Sequence, residues 1–181
     1  MRHRADRYRD IVTGWLSPRG RDGGIDEIPL PDGTPGRLWL CGKHRIGPDH
    51  HSVLDEVGAT TVVCLVQEHE LRDRYPDYLQ FVRNGGDARW VAEWFPVHDL
   101  HAPPVEAARA FVGSLVQRLQ RGETVVMHCA AGIGRAGTMA VLVLMELGLD
   151  LADAAEVVRS NRPMAGPEGA GQRALVTGWR D

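Results

Sequence analysis

The sequence predicts an α/β fold: a single domain with a central, mainly parallel twisted sheet flanked by helices. Short β-branched or apolar runs, Thr61–Val66 among them, have the length and composition of strands buried on both faces. Longer segments with apolar residues at helical spacing alternate with these runs. The chain has 181 residues, enough for one core, and carries no internal repeat or low-complexity tract.

Taken in order, Tyr8, Ile11, Val12 and Trp15 share helical spacing, so a short helix is expected within residues 1–16. Residues 17–36 hold many Gly and Pro and read as irregular chain. The segment 1–36 is therefore expected to pack on a domain formed by residues 37–181. A first strand covers 37–42. Asp49 caps a helix that runs to Val57 and stops at Gly58. The strand 61–66 leads to two short helices, 68–74 and 76–83, the second opening on Pro76. A strand over 89–97 ends in the loop 98–104. From Val105 to Gln120, Val105, Ala108, Val112, Leu115, Val116 and Leu119 share one helix face. The strand 124–128 precedes a helix over 136–147 that is apolar nearly all round and so belongs at the centre. Helices over 150–159 and 169–179 complete the chain.

Composition removes several function classes. Net charge is −3, so nothing global draws the chain to nucleic acid or to a membrane. The longest apolar run is far too short to span a bilayer, and no apolar stretch follows the basic start as a signal peptide requires. Three cysteines, Cys41, Cys64 and Cys129, are too few for a disulfide framework or a CxxC zinc site, which suits a reducing cytoplasm. Of the 21 basic residues only Lys43 is lysine, a bias that suits a GC-rich bacterial genome. No metal or cofactor is expected, and a monomer is.

The chemistry concentrates at 125–138. A strand delivers His128 and Cys129, the small residues Ala130, Ala131, Gly132, Ile133 and Gly134 follow, and Arg135 closes the turn into a helix. Small residues let backbone N–H groups turn inward, the helix start adds partial positive charge, and Arg135 brings a planar donor fork. An anion held beside a sulfur nucleophile is the chemistry these parts share. Gly132-x-Gly134-x-x-Gly137 also satisfies a dinucleotide-binding pattern. That pattern needs a second strand with a ribose-binding acid about twenty residues on, where the chain instead has the helical 151–155.

The string His128-Cys129-x-x-Gly132-x-x-Arg135-x-Gly137, with five residues between Cys129 and Arg135, resembles the signature of the protein tyrosine phosphatase superfamily. Leu38-Trp39-Leu40-Cys41-Gly42, Val62-Val63-Cys64-Leu65 ahead of Glu70-Leu71, and Arg162-Pro163 ahead of Gln172 are similar to its dual-specificity branch, nearest the kinase-associated type. The resemblance implies a phosphocysteine mechanism: Cys129 as nucleophile, Arg135 as phosphate clamp, and residues 130–135 wrapping the phosphate. Asp99, in the loop thirty residues before the cysteine, would be the general acid, with His98 and His101 as rivals for the proton. His128 would organise the loop, and Gln172 would position the hydrolytic water. Cys64 has two readings, a redox partner of Cys129 or a small core residue. The family usually has Ser or Thr after the arginine. Ala136 stands there instead, so slow release of phosphate is expected unless Thr138 or a water substitutes. The loop lacks the lysines that inositol-lipid phosphatases place in it, which favours a phosphorylated protein or peptide as partner. The alternatives are a phosphate-binding pseudophosphatase and a phosphatase of a non-protein phosphomonoester.

Overall fold

The computed structural model describes residues 18–180, and the helix expected within 1–16 lies outside them. The elements run α1 (Pro18–Asp22), β1 (Ile25–Ile28), β2 (Arg37–Gly42), α2 (Lys43–Ile46), α3 (His50–Val57), β3 (Thr61–Cys64) and a 3₁₀ turn (Glu68–Glu70). Then come α4 (Pro76–Arg83), β4 (Val91–Trp94), α5 (Val105–Gln120), β5 (Thr124–Cys129), α6 (Gly134–Glu146), α7 (Leu151–Asn161) and α8 (Ala170–Thr177). The sheet has the order β1-β2-β5-β3-β4, antiparallel at β1 and parallel elsewhere. It is mixed, mainly parallel and flanked by helices, as the sequence predicts.

Parallel pairing places β5 at the centre, between β2 and β3, with every residue from Val125 to Cys129 buried. Cys129 ends this strand, so the sheet delivers it at the carboxyl edge where parallel sheets hold their ligands. Helix α6 follows and packs against α5, α7 and α8. Its residues are buried from Gly134 to Met145, which explains why no polar stripe interrupts its sequence.

The expectations for 17–36 and 68–74 are corrected. Residues 18–28 are not irregular: Pro18–Asp22 forms a helical turn, and Ile25–Ile28 is an edge strand on β2. The strand is four residues long and half charged, so its alternation is too short to register. Its charges are absorbed across the edge, Glu27 by Arg37 and Asp26 by Arg162. The segment 68–74 gives one 3₁₀ turn rather than a helix: the Gln67 backbone N–H, donating to the Glu70 side chain, caps its start, but Leu71 is the one buried residue from 68 to 74, so no apolar face holds a longer helix against the core. On α5, Val105 is exposed and Phe111 takes a core place, stacked on Phe95.

Candidate active site

The turn after β5 is held from outside by its carbonyls. Ala130 O accepts from Lys43 N at 3.0 Å, Ala131 O from Arg162 Nη2 at 2.8 Å, Gly132 O from Arg162 Nε at 2.7 Å, and Ile133 O from Gly137 N and Gly166 N. Four consecutive carbonyls pointing outward leave the amides of the same turn facing in. None of the amides of Ala131, Gly132, Ile133 and Gly134 donates to another described residue. Together with the start of α6 they form a concavity of free amides, the geometry that suits an anion. Gly132 has φ +73, and a Cβ there would collide with Cys41 O, so only glycine fits. At Gly137 a Cβ would strike Gly166 N, which lets the chain after α7 close onto the first turn of α6.

Arg162 is the main outer support. It is buried, and besides the two loop carbonyls it donates to Asp26 Oδ2 at 2.6 Å and to Leu40 O at 3.3 Å. Sequence reasoning treated Arg162 as part of a tail motif and gave it no such task. A signal was present in its Arg-Pro setting, but its acceptors in the turn are backbone carbonyls, which no pattern of side chains reveals.

Arg135 is 3% exposed. Glu70 grips it with two hydrogen bonds, Nη1 to Oε2 at 2.7 Å and Nη2 to Oε1 at 2.9 Å, and Nη1 also donates to Val97 O at 2.9 Å. Burial works against ionisation of both groups, but the paired hydrogen bonds outweigh it. The Glu70 carboxyl is held below its ordinary value and the Arg135 guanidinium above its own. Arg135 Nε remains buried without a partner among the described residues. In the sequence Glu70 stands out only within the dipeptide Glu70-Leu71, and its grip on the arginine 65 residues away shows only in the fold.

Asp99 lies over the same guanidinium, its Oδ1 3.2 Å from Arg135 Nη2, with its side chain largely exposed. Its loop is pinned by His101 Nδ1, bonded to Asp99 O at 2.7 Å, and by Gln172 Nε2 donating to His101 O at 3.1 Å. Leu100 sits at φ +60, an uncommon conformation for a leucine. His98 meets Gln67 at 3.3 Å and His101 turns back on its own loop. Asp99 is therefore the loop side chain that reaches Arg135.

His128 is fully buried. Its Nε2 meets Tyr78 Oη at 2.7 Å and its Nδ1 faces Cys129 O at 3.3 Å, so Nδ1–H donates and Nε2 accepts. Burial lowers its pKa to about 4, and a neutral imidazole at this place anchors the strand end. Thr138 Oγ1 donates to Gly134 O at 2.7 Å, with Gln172 Oε1 3.3 Å away. Gln172 is buried, and its Oε1 also accepts from Glu168 N at 2.8 Å. Both side chains thus tie α6 to α8 and to the Asp99 loop. Glu168, not foreseen, brings its carboxylate to Gly134, where a Cβ would collide with it. Cys64 pairs in register with His128 rather than Cys129, and burial pushes its thiol up to about 12. Among the described residues no group of three or more His, Cys, Asp or Glu could hold a metal, and no helix is long and apolar enough to cross a membrane.

Residues 34–175 match the family described as the Swiss Army Knife protein DSP-PTPase phosphatase domain. The chain is 32% identical over 111 residues to protein tyrosine phosphatase type IVA 3 of Bos taurus and of Mus musculus. That match covers 60% of this chain and 58% of each relative, so it spans little more than half the length of either. Among solved structures, a mutant form of Tk-PTP is 31% identical with a TM-score of 0.62, covering 80% of this chain and 89% of that one. Kinase-associated phosphatase with its catalytic-site cysteine changed to serine gives a TM-score of 0.72 at 17% identity, covering 87% and 94%, a likeness of fold. With its family match running through sheet, turn and α6, the chain belongs to the dual-specificity phosphatase branch of the protein tyrosine phosphatase superfamily.

Proposed function

We propose that the protein is a cysteine-dependent phosphatase that hydrolyses phosphotyrosine, with phosphoserine and phosphothreonine as further candidates, on protein substrates. The observation that supports this most is the turn itself. Its carbonyls are tied outward, its amides are left for an anion, and a buried arginine with an unpartnered Nε closes it over Cys129. Phosphate oxygens would take the amides of residues 130–135 and the guanidinium edge of Arg135. The Cys129 sulfur then attacks phosphorus in line while the bond to the leaving oxygen breaks, and a proton from the Asp99 carboxyl passes to that oxygen. Phosphate competes with Asp99 for Arg135, which frees the carboxyl to turn toward the leaving group. Water then attacks the phosphocysteine, giving its proton to Asp99, and the thiolate departs.

The test is turnover of an aryl phosphate. Cys129→Ser is expected to abolish it, and Asp99→Ala to lower kcat by about 10²–10⁴. Wild-type turnover retained in Cys129→Ser would sink the mechanism. The Asp99–Arg135 ion pair also suits a module that binds phosphopeptides without turnover. An inert wild type that binds a phosphopeptide at residues 130–135 would select that reading.

A further inference from the structure

We propose that Glu168 determines which residues may flank the phosphorylated one, favouring a phosphoprotein segment with an arginine or lysine beside it. This rests on the phosphatase reading above and narrows its substrate.

The backbone of Glu168 is anchored and its carboxylate is left free. Its N–H donates to Gln172 Oε1 at 2.8 Å, and its carbonyl accepts from Arg173 Nη1. The next residue, Gly169, packs so closely on the Asp99 loop that a Cβ there would stand 2.0 Å from Leu100 O. From this anchored turn the side chain reaches Gly134, where an added Cβ would also lie 2.0 Å from Glu168 Oε2. Glycine at 134 therefore admits a carboxylate to the wall of the concavity, a place a side chain would deny it. Glu168 is exposed, and its carboxylate makes no hydrogen bond or ion pair among the described residues. Arg173, the cation nearest in the fold, is bonded to the Glu168 carbonyl instead.

A negative charge here works against the phosphate the turn is shaped to hold. For a substrate with neutral neighbours, Glu168 weakens binding. With a cation beside the phosphorylated residue, the same carboxylate becomes an attraction. Repelling the wrong substrate while attracting the right one is how selectivity is built. The cations of α1 and α2 do not cancel this charge. Arg19 pairs with Asp26, and Lys43 lies 4.0 Å from Glu70. The cavity they line with Arg21 meets the turn at Ala130, Ala131 and Ile133, short of Gly134. The surroundings of Glu168 argue for a polypeptide over a small amine. Four large apolar side chains are exposed among the described residues, and two of them stand on its side of the turn. Leu100, 56% exposed, belongs to the loop that Gly169 packs on, and Met164, 75% exposed, lies in the same connection as Glu168. Apolar contacts of this kind suit peptide side chains and give nothing to a compound such as phosphoethanolamine.

The experiment uses matched phosphotyrosine peptides, with neutral flanks or with a single arginine on one side or the other, and phosphoethanolamine. Wild type, Glu168→Gln and Glu168→Lys are assayed for kcat/KM, and Cys129→Ser with each residue at 168 is titrated by calorimetry. The quantity read is the ratio of arginine to neutral peptide within one enzyme. Expected in wild type is a ratio of about fivefold for one arginine peptide, carried by KM and weakened by salt. The ratio is expected to fall below about twofold in Glu168→Gln and to invert in Glu168→Lys. Inorganic phosphate should also inhibit Glu168→Gln about twofold more strongly than wild type, a gain that loss of a purely structural side chain would not give. A wild-type ratio near unity, or one that survives Glu168→Lys, would overturn the proposal. Phosphoethanolamine turned over with a higher kcat/KM than the arginine peptides would overturn the assignment to protein. Aryl phosphate turnover without an arginine preference removes the selection and leaves the phosphatase. An inert wild type, with Cys129→Ser still binding the arginine peptide more tightly unless Lys stands at 168, does the reverse.

Discussion

Ala136 is the residue on which the rate of the proposed cycle turns. A hydroxyl there would donate to the departing sulfur, and the nearest alternative, Thr138, is bonded to Gly134 O. Wild type is therefore expected to show a pre-steady-state burst on an aryl phosphate. Ala136→Ser is expected to shrink that burst and raise kcat about tenfold, the worth of a hydrogen bond to a charged group. A variant with an undiminished burst would remove Ala136 from the slow step. At this scale the sequence was partly legible. Cys129, Arg135 and Asp99 stand out because their spacing and chemistry are local, and the structure brings all three together. Glu70 and Arg162 are 65 and 30 residues from the groups they hold, so only the folded chain joins them.

At the scale of elements, β1 is the piece that sequence periodicity missed and the site depends on. Asp26 neutralises Arg162, and Arg162 holds Ala131 and Gly132. Asp26→Asn leaves a buried guanidinium without its charge partner, at a cost of about 3 kcal/mol in unfolding free energy. It is also expected to raise KM for phosphorylated substrates, since the turn loses its outer support. Denaturant titration beside kinetics checks both, and a variant unchanged in KM would detach β1 from the site. The long elements were legible for the opposite reason. α5 and α6 declare themselves by period and by continuous apolarity, and β5 by its β-branched run into Cys129. Short edge pieces such as β1 and α2 carry too few residues for a pattern, and their form is set by the strand or loop they dock on.

Over the whole molecule, His128 links stability to pH. Its pKa is about 4 in the fold against 6.5 for a free imidazole, so the unfolded chain binds the extra proton between those values. Stability is thus full above about pH 6.5 and is lost as pH falls toward 4, by about 3 kcal/mol from this group. Urea midpoints measured from pH 7 to pH 4 should show this decline, and His128→Gln should flatten it. A parallel decline in the variant would assign the loss to other groups. Arg162 has one more consequence, in time rather than space. It joins a carboxylate 136 residues earlier to a turn 30 residues earlier, so during synthesis the nucleophile's cradle stays unbraced until residue 162 is free to fold. A nascent chain would carry the Cys129 thiol well before it carried the means to aim it. Competence to bind phosphate should come late, with the closing of α7 and the turn that follows.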